Sequence, residues 1–435
     1  MPQRELVVWI NLVGIDHLVG RLWSREGAGR ATATFAYDSA WLTNPRRFDL
    51  SPMLPCGIGA HQINRALPGA FTDCAPDSWG QKLMRRGERL SADETGGTAR
   101  TLFEVDFLAG VDDASRMGAL RFKDANGSGN FLTSSGRPVP PLIDLPVLMG
   151  AADKVMRGTD KKRDVDIVLD PGASLGGARP KATVRDTGGH LLIAKFPKNG
   201  DDWPVIRWEA VLLDLAKTSG ITTPDWKLVE VARKPVLLLN RFDRMSSGER
   251  LPFMSAMTAL DAVDHPVGRS YVEIAGFIRR FSSKPTDDLA QLWRRVVFNI
   301  LVSNTDDHLR NHAFLRDGTG WRLSPAYDMN PVPATVKPRI HAINISDTDA
   351  TGSFELALSV APKFGLSAPD AAAIAAEVGT AVTKWRDTAK RHKLTANQIA
   401  FMASAFDHGD IERAQKVPAT TTARKREAKP KTIKQ

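Results

Sequence analysis

Two polar residues five positions apart give the first sign of chemistry in this chain. Asp306 and Asn311 belong to the segment Asn304-Thr-Asp-Asp-His-Leu-Arg-Asn311, which follows an apolar stretch ending near Val302. Phosphoryl transfer uses a carboxylate to accept a hydroxyl proton and an oxygen ligand for magnesium, and this spacing can place both on one loop. Taken alone, the pair is better explained by a capped surface loop, so its weight depends on its surroundings.

A second carboxylate, Asp328, follows 17 residues after Asn311. It ends the segment 323–328, behind a strand pair predicted over 313–315 and 321–323. Magnesium prefers oxygen ligands and keeps several waters, so one carboxylate and one amide are sufficient protein ligands. Asp328 could therefore hold a metal that bridges ATP phosphates. The alternative is a helix or turn cap.

A glycine-rich segment, Gly172–Lys181, lies between two strand-like stretches. Glycines let backbone N–H groups approach phosphates, although the G-K-[ST] ending of a Walker A loop is absent. Lys195 follows within an apolar strand, where a buried ammonium needs an anionic partner. ATP phosphates could serve, and so could Glu209, near the start of a predicted helix. The alternatives are a simple hairpin turn and a lysine whose amine reaches the surface.

The order of these pieces is more specific than any one of them. A glycine-rich loop, a strand lysine, a helix glutamate, a hinge, D-x-x-x-x-N and an aspartate follow one another along the chain, as in protein kinases. This order predicts that Lys195, Asp306, Asn311 and Asp328 converge around one nucleotide triphosphate.

Two histidines suggest a competing metal site. His308 and His312 stand four residues apart, but the glutamate of an H-E-x-x-H helix is missing, so we favour loop-shaping or capping roles. Cys56 and Cys74 are too few for a disulfide framework and lack metal-ligand spacing.

The predicted elements divide the chain into four parts. Residues 1–135 mix strands with helices, among them a helix that begins at Pro76-Asp77-Ser78, and a Pro- and Gly-rich connector ends this part. Residues 136–243 are rich in strands, predicted over 166–169, 181–185, 191–196 and 235–239, and contain a helix over 208–218. Residues 244–415 are helical, with helices over 289–301, 369–390 and 396–406. The fold class is therefore α+β: a β-rich lobe and an all-helical lobe in a two-lobed, kinase-like arrangement, preceded by an α/β subdomain.

Composition and charge are those of an ordinary globular protein. The 435 residues are 42% hydrophobic and 25% charged, and the net charge is +10. Seven Lys or Arg and one Glu fall within 416–435, a segment predicted to be a disordered basic tail. No apolar run is long enough for a membrane helix, so we expect no membrane partner and a cytoplasmic location.

Taken together, these segments resemble the HipA family, the serine/threonine kinase toxins of bacterial toxin–antitoxin systems. The phosphate loop Gly172–Lys181, the lysine strand 192–197, the hinge 239–244, the catalytic loop 304–311 and the metal segment 323–328 carry the resemblance. It also covers 103–122 in the first part and Ile343-Asn-Ile-Ser-Asp347.

The resemblance implies a role for each matched residue. Asp306 would be the catalytic base, and Asn311 and Asp328 would bind Mg²⁺. Lys195, supported by an ion pair with Glu209, would contact the ATP phosphates. Ser174 matches a position that family members phosphorylate on themselves. The remaining ATP contacts would come from Gly176, Gly177, Ala178, Lys181, Asn240 and Phe242.

The resemblance also implies partners. Family members phosphorylate aminoacyl-tRNA synthetases, and a small HipB-like helix-turn-helix antitoxin that binds operator DNA restrains them. Two alternatives stay open for this chain. One is a small-molecule kinase of kinase-like fold, although such enzymes typically carry His where this chain has Asn304 and lack its first 135 residues. The other is a catalytically idle regulatory module of a DNA complex.

Overall fold

The N-terminal part is built on an antiparallel sheet. A computed structural model describes residues 3–27, 30–125, 129–132, 139–169, 179–263 and 268–416. Five strands pair in the order β4-β3-β2-β1-β5. The strands are β1 (Gln3–Leu12), β2 (Ile15–Gly27), β3 (Arg30–Tyr37), β4 (Ala60–Ile63) and β5 (Leu120–Asp124). The helices are α1 (Ser39–Leu42), α2 (Gly69–Thr72), α3 (Ser78–Thr95) and α4 (Glu104–Ala109).

The second part is a four-stranded antiparallel sheet with helices on it. Its strand order is β6-β7-β9-β8. The helices are α5 (Leu145–Arg157), α6 (Lys162–Leu169) and α7 (Val205–Thr218), and the strands are β6 (Lys181–Arg185), β7 (Leu191–Lys195), β8 (Trp226–Val231) and β9 (Lys234–Asn240). The turn that contains Asp186-Thr-Gly-Gly joins β6 to β7 as an antiparallel hairpin.

The strand predicted over 166–169 is wrong, because these residues end helix α6. The Asp164 carboxylate accepts the Lys161 backbone N–H at 3.0 Å and contacts Lys154 Nζ at 2.6 Å, which stabilises the first turn. Val165 and Val168, three residues apart, are both buried and face the same core. A short apolar run is compatible with both the 3.6-residue period of a helix and the two-residue period of a strand. Here packing against α3 and α5 favours the helix.

The third part is mostly helical. Its elements are β10 (Phe253–Ser255), α8 (Ala256–Ala259), α9 (Tyr271–Phe281), α10 (Pro285–Leu301), β11 (Ala313–Asp317), β12 (Gly320–Leu323), α11 (Phe354–Val360), α12 (Ala368–Val382), α13 (Trp385–Arg391), α14 (Ala396–Met402) and α15 (Gly409–Lys416). This lobe is not helical throughout, because β10 completes a three-stranded sheet with the predicted pair β11 and β12. The helix predicted over 369–390 is interrupted between α12 and α13.

Two hydrophobic cores lie on opposite faces of the sheet β6–β9. Val236 and Leu238 of β9 point into the smaller core with α3, α5 and α6, whereas Leu237 and Leu239 point into the larger core with α7 and the helical lobe. This alternation is the two-residue period of a strand. Helix α3 therefore packs against the sheet β6–β9, although it belongs to the N-terminal part by sequence. No helix among the described residues is long and apolar enough to cross a membrane.

Candidate active site

The ammonium of Lys195, at the end of β7, lies between two carboxylates. Its Nζ is 2.6 Å from Glu209 Oε1 and 2.8 Å from Asp328 Oδ1. The side chains of Lys195 and Glu209 are only 8% and 1% exposed, and that of Asp328 is 20% exposed. Glu209 comes from α7 and Asp328 from the helical lobe, so a single buried cation joins the two lobes. A buried charge of this kind persists only with such partners.

These contacts fix the charges. Burial by itself would lower the pKa of Lys195, but Asp328 and Glu209 outweigh burial and hold that pKa above its ordinary value. Burial by itself would raise the pKa of Asp328, but Lys195 outweighs it and holds that pKa below its ordinary value. Burial raises the pKa of Glu209 against the opposing effect of Lys195. The ammonium therefore stays protonated and can attract a phosphate oxygen.

The backbone of Asp328 is held in an uncommon conformation. Its φ is +59°, in the left-handed region that non-glycine residues rarely adopt. Hydrogen bonds to the catalytic loop hold the residues on either side. Tyr327 OH donates to the Arg310 carbonyl at 2.6 Å, and the Asn330 N–H donates to Asn304 Oδ1 at 3.2 Å. Such strain is typical of positions that the surrounding structure fixes for function.

The catalytic loop follows α10 through Ser303, whose φ is +50°. The Asp306 side chain is exposed and makes no hydrogen bond or ion pair within the described part of the chain. Asn311 is 4% exposed, and its Oδ1 has no hydrogen-bond partner among the described residues. A buried acceptor without a partner is costly unless something else satisfies it. Asn311 Oδ1 and the Asp328 carboxylate are the oxygen ligands that magnesium prefers, so these residues fit that ion.

A narrow apolar cleft opens beside Lys195 and Asp328. Its walls come from the sheet, the hinge, the N-terminal part and the residue before Asp328, and they include Met117, Ile193, Leu239, Asn240, Phe242 and Tyr327. The rings of Phe242 and Tyr327 lie 5.3 Å apart, centroid to centroid. Such a cleft, apolar with a few charged groups at one end, suits a flat base attached to an anionic chain.

Two family profiles match this chain. The profile of the HipA N-terminal domain matches residues 7–105, and that of the HipA-like C-terminal domain matches residues 173–385. The chain belongs to the HipA family of kinases. Two relatives from Sinorhizobium fredii are named "Putative kinase Y4mE" and "Putative kinase Y4dM". Each is 24% identical, over 318 and 333 residues, which are 68% and 72% of this chain and 71% and 76% of theirs.

A solved structure supports the fold of this HipA-family chain. It is the HipA chain of a Shewanella oneidensis toxin–antitoxin complex with HipB and operator DNA. The TM-score is 0.62 at 16% identity, and the match covers 95% of this chain and 100% of that one. At this identity the likeness establishes the fold alone, and it confirms the predicted two-lobed, kinase-like fold class.

The predicted site residues reach different positions in the structure. Lys195, Glu209 and Asp328 are in direct contact, and Asn240 and Phe242 line the same cleft. Among the described residues, no hydrogen bond or ion pair joins Asn311 or Asp306 directly to this group; the Tyr327–Arg310 hydrogen bond connects the neighbours of Asp328 and Asn311. Ser174, Gly176, Gly177 and Ala178 lie outside the described residues. The convergence of all four polar groups on one nucleotide stays a prediction.

The side chain of Lys181 pairs with Asp77 and not with the carboxylates that contact Lys195, its neighbour in the sheet. Lys181 pairs in register with Lys195 across the β6–β7 hairpin, but its Nζ lies 2.5 Å from Asp77 Oδ2. Both side chains are buried, and Asp77 also caps helix α3 by accepting the Gly80 N–H at 3.0 Å. Sequence analysis identified Asp77 only as a helix start, because a partner 104 residues away leaves no local signal.

The hinge also has a function that sequence analysis missed, which is to bind the N-terminal part. Arg241 donates to the carbonyls of Ser115 at 2.5 Å and Arg116 at 3.0 Å, and Asp243 accepts the Gly118 N–H at 2.7 Å. Arg241 also pairs with Asp243 at 2.6 Å, and both side chains are fully buried. This clamp holds Met117 against the cleft. The signal available in the sequence was the set of three charged residues, Arg241, Asp243 and Arg244, within the six-residue hinge 239–244.

Proposed function

We propose that this HipA-family chain is a serine/threonine protein kinase that uses ATP and Mg²⁺. The observation that carries the proposal is the buried Lys195 ammonium, shared by Glu209 and Asp328 at the charged end of an apolar cleft. A cation fixed between the lobes, together with a buried Asn311 amide oxygen that has no hydrogen-bond partner among the described residues, suits the binding of a metal-complexed polyphosphate.

In the proposed reaction the hydroxyl oxygen of a substrate serine or threonine attacks the γ-phosphorus of ATP. The bond from this phosphorus to the β-phosphate oxygen breaks, and ADP leaves. Asp306 accepts the hydroxyl proton, and its exposed position lets a protein substrate reach it. Lys195 holds the phosphates, while Asn311 and Asp328 would hold Mg²⁺, which when bound neutralises charge on the phosphate oxygens.

The remaining ATP contacts are assigned to the phosphate loop and the hinge. Backbone groups of Gly176, Gly177, Ala178 and Lys181 would cradle the phosphates, which leaves the Lys181 side chain for its pair with Asp77.

At the hinge, the Asn240 N–H already donates to Asp225 O at 2.8 Å and the Arg241 N–H to Leu191 O at 3.0 Å. We therefore assign the adenine contact to Phe242 and to the apolar wall rather than to these two N–H groups, with Asn240 at the rim of the cleft.

Ser174 is the proposed site of autophosphorylation. A phosphate there would carry about −1.5 to −2 charges and repel the ATP phosphates that the same loop must hold. Modification of Ser174 would therefore silence the enzyme.

We also propose the domain organisation 1–135, 136–243, 244–415 and a basic tail over 416–435, in a cytoplasmic protein. Partners follow from the family. The complex of the Shewanella protein with HipB and operator DNA supports a HipB-like helix-turn-helix antitoxin, through which this chain would reach operator DNA. An aminoacyl-tRNA synthetase is the proposed protein substrate.

Incubation of the purified protein with γ-labelled ATP and Mg²⁺ tests the proposal. We expect label on Ser174, located by mass spectrometry, and none in the Asp306→Asn variant. A Ser174→Ala variant separates self-modification from transfer to added protein extracts. Label only on a small acceptor would favour a small-molecule kinase, and no transfer combined with DNA retention would favour a regulatory module.

A further inference from the structure

Asp307, the residue after the proposed base, directs one carboxylate oxygen at three donors. Its Oδ2 accepts from Asn299 Nδ2 at 2.9 Å, from His312 Nε2 at 2.6 Å and from Tyr271 OH. The side chains of Asp307 and His312 are only 4% and 2% exposed. We call these four residues the Asp307 hub. Tyr271 lies on α9, Asn299 on α10 and Asp307 in the catalytic loop, and His312 directly follows that loop. An exposed loop has no need of so dense a buried arrangement.

The hub surroundings shift the pKa values of Asp307 and Tyr271 in opposite directions. Burial alone would raise the pKa of Asp307, but His312 and Tyr271 outweigh it and hold that pKa below its ordinary value, so the carboxylate is ionised. Burial, with the nearby Asp307 charge, raises the pKa of Tyr271 well above its ordinary value, so its hydroxyl remains a donor. The Tyr271 and His312 rings also pack edge to face, with centroids 5.5 Å apart. Satisfied networks of this kind rigidify the groups they join.

The hub closes the catalytic loop on itself. Asp307 directly follows the proposed base Asp306, and His312 directly follows the proposed metal ligand Asn311. The hydrogen bond between Asp307 and His312 therefore restrains the distance between Asp306 and Asn311. Between them, the Asn311 N–H donates to the His308 carbonyl at 2.8 Å and shapes a tight turn.

A second arm of the hub reaches the other proposed metal ligand. The Asn299 amide that donates to Asp307 also accepts, through Oδ1, from Asn304 Nδ2 at 3.0 Å. Asn304 Oδ1 in turn accepts the N–H of Asn330, two residues past Asp328, at 3.2 Å. One asparagine near the C-terminal end of α10 thus connects the catalytic loop to the metal segment.

We infer that the Asp307 hub is a positioning device that sets the spacing of Asp306, Asn311 and Asp328. The inference rests on the proposed function, and it deepens that function by assigning the residues that align the base with the metal ligands. None of the four hub residues touches the reacting atoms, so each acts through its neighbours. Misplacement of a catalytic group by about 1 Å costs roughly 100-fold in rate.

The test compares variants that weaken the hub to different degrees. Asp307→Asn keeps the shape and removes the charge, His312→Leu removes one donor, and Tyr271→Phe removes only the hydroxyl. We expect kcat to fall about 10- to 100-fold for the first two and several-fold for the third, with the KM for ATP within about threefold. His312→Gln, which restores an N–H donor, should recover part of the loss. Tyr271→Phe is the variant least prone to unfolding.

A readout independent of turnover follows metal binding. We expect Mg²⁺ to raise the Tm of the wild type in the presence of a non-hydrolysable ATP analogue, with a midpoint Mg²⁺ concentration at least threefold higher in Asp307→Asn. The matched control is Asp410→Asn. Asp410 lies on α15 of the same lobe, is 4% exposed and accepts from Arg339, Arg413 and the Phe354 N–H, none of which belongs to the catalytic loop or the metal segment. We expect it to lower the Tm without moving the Mg²⁺ midpoint.

The outcomes separate the two proposals. Folded hub variants with wild-type kcat and an unchanged Mg²⁺ midpoint would overturn the inference while leaving the kinase proposal intact. The same Mg²⁺ shift in Asp410→Asn would also overturn it, because the effect would then follow general destabilisation. A wild-type protein without any phosphoryl transfer would instead refute the proposed function.

Discussion

The two walls of the cleft differ in how their buried charged and amide side chains are compensated. On the upper wall, formed by β6–β9 and α7, buried ammonium groups have carboxylate partners: Lys181 pairs with Asp77, and Lys195 pairs with Glu209. On the lower wall, formed by α10 and residues 303–332, two guanidinium nitrogens of Arg295 and the amide oxygen of Asn311 are buried without a hydrogen-bond partner among the described residues.

The difference indicates where a ligand would have the greater effect. Satisfied buried charges stabilise one arrangement of the upper wall, whereas unsatisfied polar atoms on the lower wall are costly until something binds them. Burial lowers the pKa of Arg295 to about 10, which reflects the same incomplete compensation. The upper wall is therefore shaped by the fold, and we expect the lower wall to be the side that substrate and metal complete.

The largest expected effect is on the upper wall. Lys195→Met removes the proposed phosphate contact and leaves Glu209 buried beside an apolar side chain. We expect phosphoryl transfer to fall by at least about 100-fold and the free energy of unfolding to fall by about 3–5 kcal/mol. Urea unfolding and a transfer assay measure the two losses.

The double variant Lys195→Met/Glu209→Gln serves as the control for this prediction. Neutralising Glu209 removes the unpaired charge, so stability should return in large part while activity stays low. If activity returned as well, the role of Lys195 would be structural.

The second buried lysine tests whether the upper wall depends on paired charges in general. Lys181→Met leaves Asp77 buried without its counter-ion, and we expect a loss of about 3–5 kcal/mol in the free energy of unfolding. Because Asp77 also caps α3, Lys181→Met/Asp77→Asn should recover most but not all of it. If Lys181→Met and the wild type were equally stable in urea, the upper wall would not depend on its paired charges.

These contacts show which parts of the site can be predicted from the sequence and which cannot. The Lys195 strand, the helix that carries Glu209 and the D-x-x-x-x-N loop follow from local patterns, so their existence was predictable. The Lys181–Asp77 pair could not be predicted, because the two residues are distant in sequence and meet only when α3 packs on the sheet β6–β9. The strand wrongly predicted for α6 failed for the same reason: its short apolar run fits two periods, and tertiary packing decides between them.

The lower wall did contain an overlooked signal. From Arg295 to Leu301 every residue of α10 is buried, so the polar Arg295 and Asn299 interrupt an otherwise apolar stretch. Sequence analysis predicted this helix over 289–301 and gave it no role in the site. A polar residue inside an all-buried helix needs a partner, and for Asn299 those partners are Asp307 and Asn304.

The next prediction concerns pH and the helical lobe. Burial lowers the pKa of His341 to about 4, with Asp307 opposing and Arg339 and Lys337 reinforcing the shift. Burial, reinforced by Arg339 and opposed by Asp410, likewise lowers the pKa of His408 to about 4. An unfolded histidine titrates near 6.5, so between these values the unfolded state binds more protons.

The free energy of unfolding should therefore fall as the pH drops from about 7 to 4, by about 3 kcal/mol for His341. Denaturant titrations across this range measure the slope, and His341→Phe should flatten it. A His341→Phe protein with the wild-type slope would show that other groups control the acid sensitivity of this lobe.

The smallest expected effect is the most direct test of the contrast between the walls. Asn311→Leu should change the free energy of unfolding of the ligand-free protein by less than about 1 kcal/mol, because the buried Oδ1 has no hydrogen bond to lose among the described residues. Asn304→Leu, in the same loop, breaks bonds to Asn299 and Asn330 and should cost about 1–3 kcal/mol. Adding Mg²⁺ and an ATP analogue should raise the Tm of the wild type and have little effect on Asn311→Leu. Equal losses of stability in the two leucine variants would mean that the Asn311 amide is satisfied by the fold, and the lower wall would then be as complete as the upper one.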